Sequence, residues 1–345
     1  MKIRLAAQAH AQARSGRIIM HKLFVGAIAA TLLALLSPIC WAKPFTLRVA
    51  HALAPTEPIN VELEAFAKAV SERSDGRLRI LVFPSEQLGA NRGLLEQVRM
   101  GAPIIQVADP AFMSDFVPDF GVLNGPYLLD RPQDFQRILD SPWYANLKKR
   151  AAVAGFHPLA FNFFFGSRHM LGDKPFRTPA DLAGVTMRIA PNPIWAATFG
   201  SLRARGVPLP WTEVYSALSQ NVVAAVETPL GSMVGARLQE QRKTLSLTRH
   251  FDAYLGLVMS EKVFEGMEPD LRNILTEEAE KAGDAMTRRT LVNDQKILKD
   301  LEAQGVTVIR DIDIQAFRQT TQSVYETMPG WTPGTYSEIR KILSD

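Results

Sequence analysis

The chain has 345 residues, of which 47% are hydrophobic and 21% charged, with 39 Lys and Arg against 35 Asp and Glu and one cysteine. These values exclude collagen-like, disulfide-scaffold and wholly disordered proteins. The length suggests two domains of ordinary size.

Residues 1–42 have the pattern of a secretory signal peptide. They carry five basic residues and no Asp or Glu, and an apolar run from Leu23 to Leu36 precedes Ser37-Pro38 and the small residue Ala42. This run is too short to span about 30 Å of hydrocarbon. The segment is therefore predicted to be a leader that is removed on export.

Loss of this leader changes the charge of the protein. Taking its five basic residues from 39 leaves 34 against 35 acidic residues, a net charge of −1, so nothing in the overall charge favours nucleic acid. Met20 is an alternative start, and a lipoprotein reading of Cys40 is weakened by the bulky Ile39 before it. We expect a periplasmic protein held together by its core, since the only cysteine leaves with the leader.

The first part of the mature chain alternates strand and helix patterns. The predicted elements are a strand at Thr46–Ala50, a helix at Asn60–Ser74, a strand at Leu78–Phe83, a helix over 91–100, a strand at Ile104–Ala108, a helix near 132–150 and a strand at Phe156–Phe165. This order predicts a mostly parallel sheet covered by helices.

A second set of α/β elements follows. The predicted elements are a short helix at Thr178–Gly184 with Thr at its N-cap and Pro at N1, a strand at Val185–Ile189, a helix capped by Thr212, a strand at Val222–Val226 and a helix over about 230–242. From Glu268 to Gln304 the pattern stays helical for about 55 Å. A helix of that length is expected to brace both units.

The catalytic motifs searched for are absent from the mature sequence. It contains no G-x-G-x-x-G, G-x-x-x-x-G-K-[ST], H-E-x-x-H, G-x-S-x-G or C-x-x-C pattern. Its four histidines, His51, His157, His169 and His250, show no close metal-ligand spacing. The sequence therefore predicts no metal and no cofactor.

Arginines and aromatic residues at predicted strand ends are the candidate ligand-binding groups, because open α/β sheets bind ligands there. Arg188 lies within an apolar strand and needs an acidic partner, from the protein or from a ligand, if it is buried. The alternative for Arg188 is that its side chain faces solvent. For Arg168 a solvent-facing side chain is favoured more than for Arg188, because Arg168 lies at the edge of a predicted loop. Phe165 ends a predicted strand beside Phe163 and Phe164, which suits either a core or a pocket for a flat or aromatic acid.

Five separated motifs resemble the substrate-binding proteins of TRAP transporters, in the order of that family from about residue 46 to 327. They are Ser74-Asp75-Gly76-Arg77-Leu78, Phe83-Pro84-Ser85-Glu86-Gln87-Leu88-Gly89, Gly166-Ser167-Arg168, the run from Thr178 to Ile189, and Glu213-Val214-Tyr215-Ser216-Ala217-Leu218. The resemblance implies a periplasmic-binding-protein-like α/β fold, with two α/β domains around a ligand cleft, joined by hinge strands and a long bracing helix. We expect domain I to comprise 43–165 plus 254–293, and domain II to comprise 166–253 plus 294–345.

The resemblance also implies roles for individual residues. Arg188 matches the arginine that binds the ligand carboxylate, and Arg168 matches a second arginine that orients the ligand. Asp109, Trp211 and Tyr215 match positions that commonly reach or flank the pocket.

One position departs from the family pattern. Thr228 stands where the family commonly has Asn, so the second carboxylate oxygen is expected to be held differently. His51 and Phe165, each at the end of a predicted strand, complete the expected ligand-binding set.

The resemblance implies a receptor that closes on a small organic acid and delivers it to sodium-dependent membrane permease subunits, and we expect a monomer. C4-dicarboxylates, 2-oxo acids, aromatic acids and sugar acids all stay open as ligands. One alternative is an exported α/β hydrolase or lyase with Glu227, Asp109 and His51 as acid-base groups, although a capping or hinge contact is the simpler role for Glu227. A second alternative is a ligand-sensing module of a membrane kinase.

Overall fold

A computed structural model describes residues 44–344. The predicted leader, with the interpretations of Met20 and Cys40, lies outside the described residues. Within residues 44–344 no helix combines the length and apolar character needed to cross a membrane.

The described part of the chain forms one sheet covered by helices. Its strands are β1 Phe45–Ala50, β2 Leu78–Phe83, β3 Ile104–Ala108, β4 Phe156–Gly172, β5 Thr186–Ile189, β6 Arg205–Pro208, β7 Ala225–Pro229, β8 Thr244–Ser260 and β9 Thr307–Ile309. The α-helices are Pro58–Arg73, Asn91–Arg99, Pro110–Met113, Phe135–Leu139, Pro142–Val153, Pro193–Ser201, Val214–Ser219, Leu230–Gly235, Glu261–Glu265, Pro269–Ala303, Ile314–Thr321, Val324–Thr327 and Thr335–Ser344. Short 3-10 helices span Pro118–Asn124, Pro132–Asp134, Pro179–Leu182, Trp211–Glu213 and Leu238–Glu240.

The strand order is β2-β1-β3-β8-β4-β7-β5-β6, with β9 beside β8. Parallel pairs form a first strand set of β2, β1 and β3 and a second strand set of β7, β5 and β6. Between the two sets, β4 and β8 run antiparallel to each other, β8 is antiparallel to β3, and β4 is antiparallel to β7. The predicted mostly parallel sheet is therefore wrong at its centre.

The two central strands connect the strand sets. Each has 17 residues, and they pair from Phe156 with Ser260 to Gly172 with Thr244. The sequence prediction ended β4 at Phe165 and missed β8, because polar residues interrupt the apolar pattern of both strands. The length of these two strands places residues from both strand sets around one cleft.

A β-bulge marks the middle of this central pair. Phe164 pairs with Tyr254 and Gly166 pairs with Ala253, so Phe165 has no partner on β8. Gly166 has φ +121°, a conformation that L-residues with a side chain rarely adopt, and Pro229 packs 3.0 Å from the place of its absent Cβ. The bulge lets Phe165 face the cleft.

Buried apolar residues form a core on each face of each strand set. Leu47 and Phe120 belong to cores of the first set, and Met187 and Leu218 to cores of the second. The long helix Pro269–Ala303 contributes to both sets, with side chains that include Leu271, Leu275, Met286 and Leu301. This confirms the predicted α/β fold braced by a long helix.

Three predicted helices differ in their details. The one expected near 132–150 is broken before Pro142, where Ser141 caps a new helix by accepting a hydrogen bond from Tyr144 N at 3.2 Å. The one expected over 230–242 ends at Gly235, and Arg237 takes a left-handed conformation. Thr212 caps no helix, because it lies inside the 3-10 helix Trp211–Glu213, and its hydroxyl donates to Glu86.

Two further corrections concern a strand and the end of the chain. The strand expected over Val222–Val226 is shifted to Ala225–Pro229, since it includes the buried residues Glu227 and Thr228. The last helix, Thr335–Ser344, packs Ile339 into a core of the first strand set, and Arg340 donates to Leu128 O at 2.9 Å. The end of the predicted domain II segment 294–345 therefore packs with the first strand set.

Candidate ligand-binding site

A cavity of about 270 Å³ lies where the two strand sets meet the central strands. Its surface is mostly apolar, from residues that include Leu53, Val107, Phe112, Phe165, Pro191, Trp195, Trp211 and Leu255. Its polar and charged lining residues are His51, Glu86, Asn91, Arg92, Asp109, Asp115, Arg168, Arg188, Thr228 and Ser232. Both strand sets contribute to the walls, so movement of one relative to the other would change the shape of the cavity.

Arg188 lies on β5 and is buried, with 3% of its surface exposed. Its Nε and Nη2 donate to Leu209 O at 3.1 and 2.7 Å, and its guanidinium lies 5.4 Å from the centre of the Trp211 ring. Burial lowers the pKa of Arg188 to about 10, so it stays charged at neutral pH. Among the described residues no carboxylate oxygen lies within 4.0 Å of its nitrogens, which leaves the charge for an anion.

Arg168 is also buried, but it has an acidic partner. It lies on β4, and its Nε and Nη2 donate to the carboxylate of Glu227 at 2.5 and 2.7 Å. The prediction that it lies at a loop edge facing solvent is wrong, because β4 continues through this residue to Gly172. Arg168 keeps a place on the cavity wall, with its charge balanced by Glu227.

Glu227 is fully buried on β7 and accepts hydrogen bonds from three side chains. Besides Arg168, Trp195 Nε1 donates to it at 2.7 Å and His250 Nε2 lies 3.2 Å away. Burial by itself raises the pKa of Glu227. Arg168 and His250 together outweigh this effect and lower the pKa to about 2. The sequence favoured a capping or hinge contact for Glu227; the structure shows a buried ion pair with Arg168.

His250 completes this buried group. Its Nδ1 lies 2.8 Å from Thr248 Oγ1, opposite the contact of Nε2 with Glu227. A neutral ring with the proton on Nε2 satisfies both contacts, since Nε2 then donates and Nδ1 accepts. Burial lowers the pKa of His250 against the opposing effect of Glu227, which favours this neutral form.

The first strand set contributes His51 and Asp109 at the ends of β1 and β3. Asp109 accepts a hydrogen bond from Ala111 N at 3.0 Å, and burial raises its pKa to about 6. His51 Nε2 lies 3.1 Å from Asn60 Oδ1, and burial lowers the pKa of His51. His51 Nδ1 is buried with no hydrogen-bond partner among the described residues. These residues line the same cavity as Arg188 and bring to it a carboxyl group and a ring nitrogen without a partner among the described residues.

Thr228 follows Glu227 on β7 and is 1% exposed. Its Oγ1 is buried and has no hydrogen-bond partner within residues 44–344. A buried hydroxyl without a partner is unfavourable, unless a ligand or water supplies one. This is the position at which the sequence departs from the family pattern.

No cluster of three or more His, Cys, Asp or Glu side chains able to hold a metal ion occurs in the described part of the chain. The arrangement instead provides a buried, unpaired cation beside aromatic rings. Such a site can bind an anion whose remaining atoms contact apolar walls.

The sequence also matches a known protein family. The sequence model of the bacterial extracellular solute-binding proteins, family 7, matches residues 49–329. The chain belongs to this family. Family 7 proteins are receptors that bind a solute, and this confirms the recognition that the sequence motifs gave.

Solved and named relatives agree with the family. A TRAP periplasmic solute-binding protein of Desulfovibrio salexigens in complex with diglycerolphosphate is 31% identical with a TM-score of 0.85, over 88% of this chain and 97% of that one. One of Ochrobacterium anthropi with bound L-fuconate is 30% identical with a TM-score of 0.84, over 87% and 100%. The 2,3-diketo-L-gulonate-binding periplasmic protein YiaO of Escherichia coli is 28% identical over 273 residues, 79% of this chain and 83% of that protein.

Seven of the eight predicted site residues of this family 7 chain line the cavity: His51, Asp109, Phe165, Arg168, Arg188, Trp211 and Thr228. Tyr215 does not. It is 39% exposed, and its hydroxyl donates to Glu240 at 3.0 Å. The helix Val214–Ser219 buries Val214 and Leu218, so helical spacing turns Tyr215 to the opposite, solvent-facing side.

Several lining residues were not predicted. Phe112, Asp115 and Arg92 reach the cavity from the first strand set, and Ser232 reaches it from the helix that follows β7. Arg92 and Asp115 lie 3.7 Å apart, so they form an ion pair at the rim. The sequence signal for these residues is only that they follow predicted strands. Many residues that do not line the cavity also follow strands, so this signal could not have identified them.

Proposed function

We propose that this family 7 protein is a periplasmic receptor that binds a small organic acid in the cavity and delivers it to the membrane subunits of a TRAP transporter. The observation that carries the proposal is Arg188, a buried guanidinium with no acidic partner among the described residues. A ligand carboxylate would supply that partner. The carboxylate and phosphate ligands named for the relatives support an anionic solute.

We further propose that the strand sets form two lobes that close on the ligand. Domain I would comprise 43–165 plus 254–293 with the C-terminal helix, and domain II would comprise 166–253 plus the rest of 294–345. The central strands β4 and β8 would hinge near Gly166, where the bulge already breaks the regular pairing. Small-angle scattering should show a smaller radius of gyration with ligand than without. An unchanged radius at saturation would count against closure.

The carboxylate contact can be tested by calorimetry on residues 43–345 after ligand removal. Arg188→Ala should weaken binding by about 2–5 kcal/mol, roughly 30-fold or more, because a buried carboxylate loses its charged partner. Arg205→Ala is a matched control, since Arg205 lies on the neighbouring strand β6 and is exposed. Equal affinities for Arg188→Ala and the unchanged protein would overturn the proposal.

Binding without turnover separates this proposal from an exported hydrolase or lyase. Of the three acid-base candidates, Glu227 is occupied by Arg168, Trp195 and His250 and does not appear among the lining residues. We expect a saturated sample to return the ligand unaltered, as followed by proton NMR over hours. Appearance of a product in proportion to protein concentration would instead support the enzyme.

The partner remains a proposal as well. A TRAP receptor should stimulate sodium-dependent uptake when it is added to vesicles containing its permease subunits, whereas a sensor module would bind the ligand without stimulating uptake. We expect a monomer in solution, which sedimentation with and without ligand can test.

A further inference from the structure

Among residues 44–344, Arg188 is the charged lining arginine that forms no ion pair with an acidic side chain. Arg168 is paired with Glu227, and Arg92 lies 3.7 Å from Asp115. Arg188 lies within 4.0 Å of no carboxylate among residues 44–344. Because each charge on a buried ligand needs a counter-charge, the wall is suited to one carboxylate.

A second carboxylate on the ligand would meet negative charge. Asp109 lines the cavity from the end of β3, and its carboxylate accepts a hydrogen bond from Ala111 N at 3.0 Å. Glu86 also lines the cavity and accepts a hydrogen bond from Thr212 at 3.0 Å. These carboxylates disfavour a dianion, because like charges in a partly desolvated cleft repel each other strongly.

Most of the wall surface is apolar, and two of its polar side chains are already hydrogen-bonded within the protein. Ser232 Oγ donates to Glu57 at 2.6 Å, and Asn91 Oδ1 accepts from Gln106 Nε2 at 2.8 Å. Much of the remaining wall is carbon, including the ring of Phe165. A polyhydroxylated acid would therefore place several hydroxyls against carbon, which is unfavourable for each hydroxyl left without a partner.

Two residues that line the cavity each carry a buried polar atom with no partner among the described residues, Thr228 Oγ1 and His51 Nδ1. His51 Nε2 lies 3.1 Å from the side-chain oxygen Oδ1 of Asn60, so Nε2 donates and Nδ1 of the neutral ring accepts. An acceptor is satisfied by a ligand O–H, and a ketone or a methylene cannot satisfy it. His51 therefore favours a hydroxyl on the ligand.

We propose that the solute is a monocarboxylate with a compact apolar or aromatic body and a single hydroxyl group. Arg188 binds the carboxylate, Phe165 and Trp211 contact the body, and His51 with Thr228 receives the polar oxygens. This inference rests on the proposed receptor function and selects among the organic acids that the function leaves open. A cavity of about 270 Å³ suits such a small ligand, since drug-sized ligands occupy pockets of about 300 Å³ or more.

Calorimetry with matched acids tests the proposal on the ligand-free mature protein. We expect 3-phenyllactate to bind more tightly than 3-phenylpropanoate or phenylpyruvate by about 3- to 10-fold, the effect of one satisfied hydrogen bond. Succinate and gluconate should bind about 100-fold more weakly than 3-phenyllactate, or not measurably. Tightest binding of succinate or gluconate would overturn the inference.

A variant pair tests the polar contact itself. Thr228→Val keeps the shape of the side chain and should lower the affinity for 3-phenyllactate by about 3-fold or more. Thr307→Val serves as the control, because Thr307 is an exposed residue of β9. Unchanged affinity in a folded Thr228→Val protein would show that Thr228 does not bind the ligand, and the contact proposed for its hydroxyl would be wrong.

The same data separate the two levels of the argument. If some carboxylate binds and Arg188→Ala abolishes that binding, the receptor function stands whatever the ranking of the acids. If no acid of any class binds, the proposed function itself fails. A preference for sugar acids or dicarboxylates that depends on Arg188 contradicts only the ligand class inferred here.

Discussion

Arg168 and Arg188 line the same cavity and are almost equally buried, at 6% and 3% exposure, yet their charges are balanced in different ways. Arg168 donates to the Glu227 carboxylate at 2.5 and 2.7 Å. Arg188 donates to a backbone carbonyl and stacks on Trp211. One arginine is satisfied by the fold, and the other is left for a partner from outside.

This difference separates what stabilises the protein from what binds the solute. Removing one member of a buried ion pair leaves the other as an uncompensated charge, which strongly destabilises the folded state. Removing a buried charge that has no acidic partner relieves a desolvation cost instead. The two positions should therefore respond oppositely in stability and in binding.

The largest effect is expected from Glu227→Gln, which leaves the charge of Arg168 without its carboxylate. The free energy of unfolding of the ligand-free protein should fall by about 3–5 kcal/mol, as measured by urea denaturation. The double variant Arg168→Met with Glu227→Gln should recover part of that loss. A loss below about 1 kcal/mol for Glu227→Gln would show that the pair is not essential to the fold.

Arg188→Met sharpens the comparison from the other side. The ligand-free protein should keep its free energy of unfolding within about 1 kcal/mol or gain stability, because an apolar side chain replaces an unpaired buried charge. The stabilisation that a saturating ligand adds should disappear in thermal denaturation. A destabilisation as large as that of Glu227→Gln would mean that Arg188 has a structural partner.

The comparison extends to buried carboxylates and predicts a pH dependence. Burial raises the pKa of Glu57 to about 7, although Ser232 and Ala54 N donate to it, while Arg168 contributes to a pKa of about 2 for Glu227. A raised folded-state pKa means that the folded protein binds the proton more tightly than the unfolded chain. Its contribution to stability is therefore present below the unfolded value, near 4.5, and is lost as pH rises through about 7.

Glu57→Gln tests that dependence, because the amide is neutral at every pH. Urea denaturation between pH 5 and pH 8 should show a loss of stability that is smaller in Glu57→Gln by roughly 2–3 kcal/mol. Asp109 and Asp294, whose pKa values burial raises to about 6, contribute a slope of the same sign in both proteins. Equal slopes in the variant and the unchanged protein would show that Glu57 is solvated.

A smaller loss of stability than for Glu227→Gln is expected from Trp195→Phe. The substitution removes the hydrogen bond from Nε1 to Glu227 and keeps an aromatic ring near Arg168, whose guanidinium lies 5.2 Å from the Trp195 ring. The free energy of unfolding should fall by about 1–2 kcal/mol, because Arg168 and His250 still contact the carboxylate. A loss as large as that of Glu227→Gln would make Trp195 the main support of the pair.

The sequence predicts β1, β2, β3 and β5 well, because their apolar runs are short and bounded by turn residues. It places β7 three residues too early and misses β6, the short strand Arg205–Pro208. It predicts β4 poorly, because Arg168 and His169 interrupt the run, although both are buried by pairing with distant residues. A local pattern cannot reveal a partner 59 residues away, as Glu227 is from Arg168. For the same reason, the local sequence pattern did not predict that Phe112 and Asp115 line the cavity.

Site residues were predictable where the family motifs fix a position on a strand. Arg188 and Thr228 both lie within strands, and their burial follows from the sheet. Tyr215 belongs to an equally recognisable motif, but its direction depends on which face of a short helix is buried. The pairing of Arg168 with Glu227, which decides how many free charges the cavity has, requires the three-dimensional structure.

The sheet order also determines when this protein can finish folding. The first strand set is complete only when β3 pairs with Gly256–Met259 of β8, more than a hundred residues later in the chain. Pairing between segments so far apart in sequence is slow, because the intervening chain must be ordered before the contact forms. The first strand set cannot cover the edge of β3 before synthesis has passed residue 260, so a shortened chain would expose that edge and be prone to aggregation.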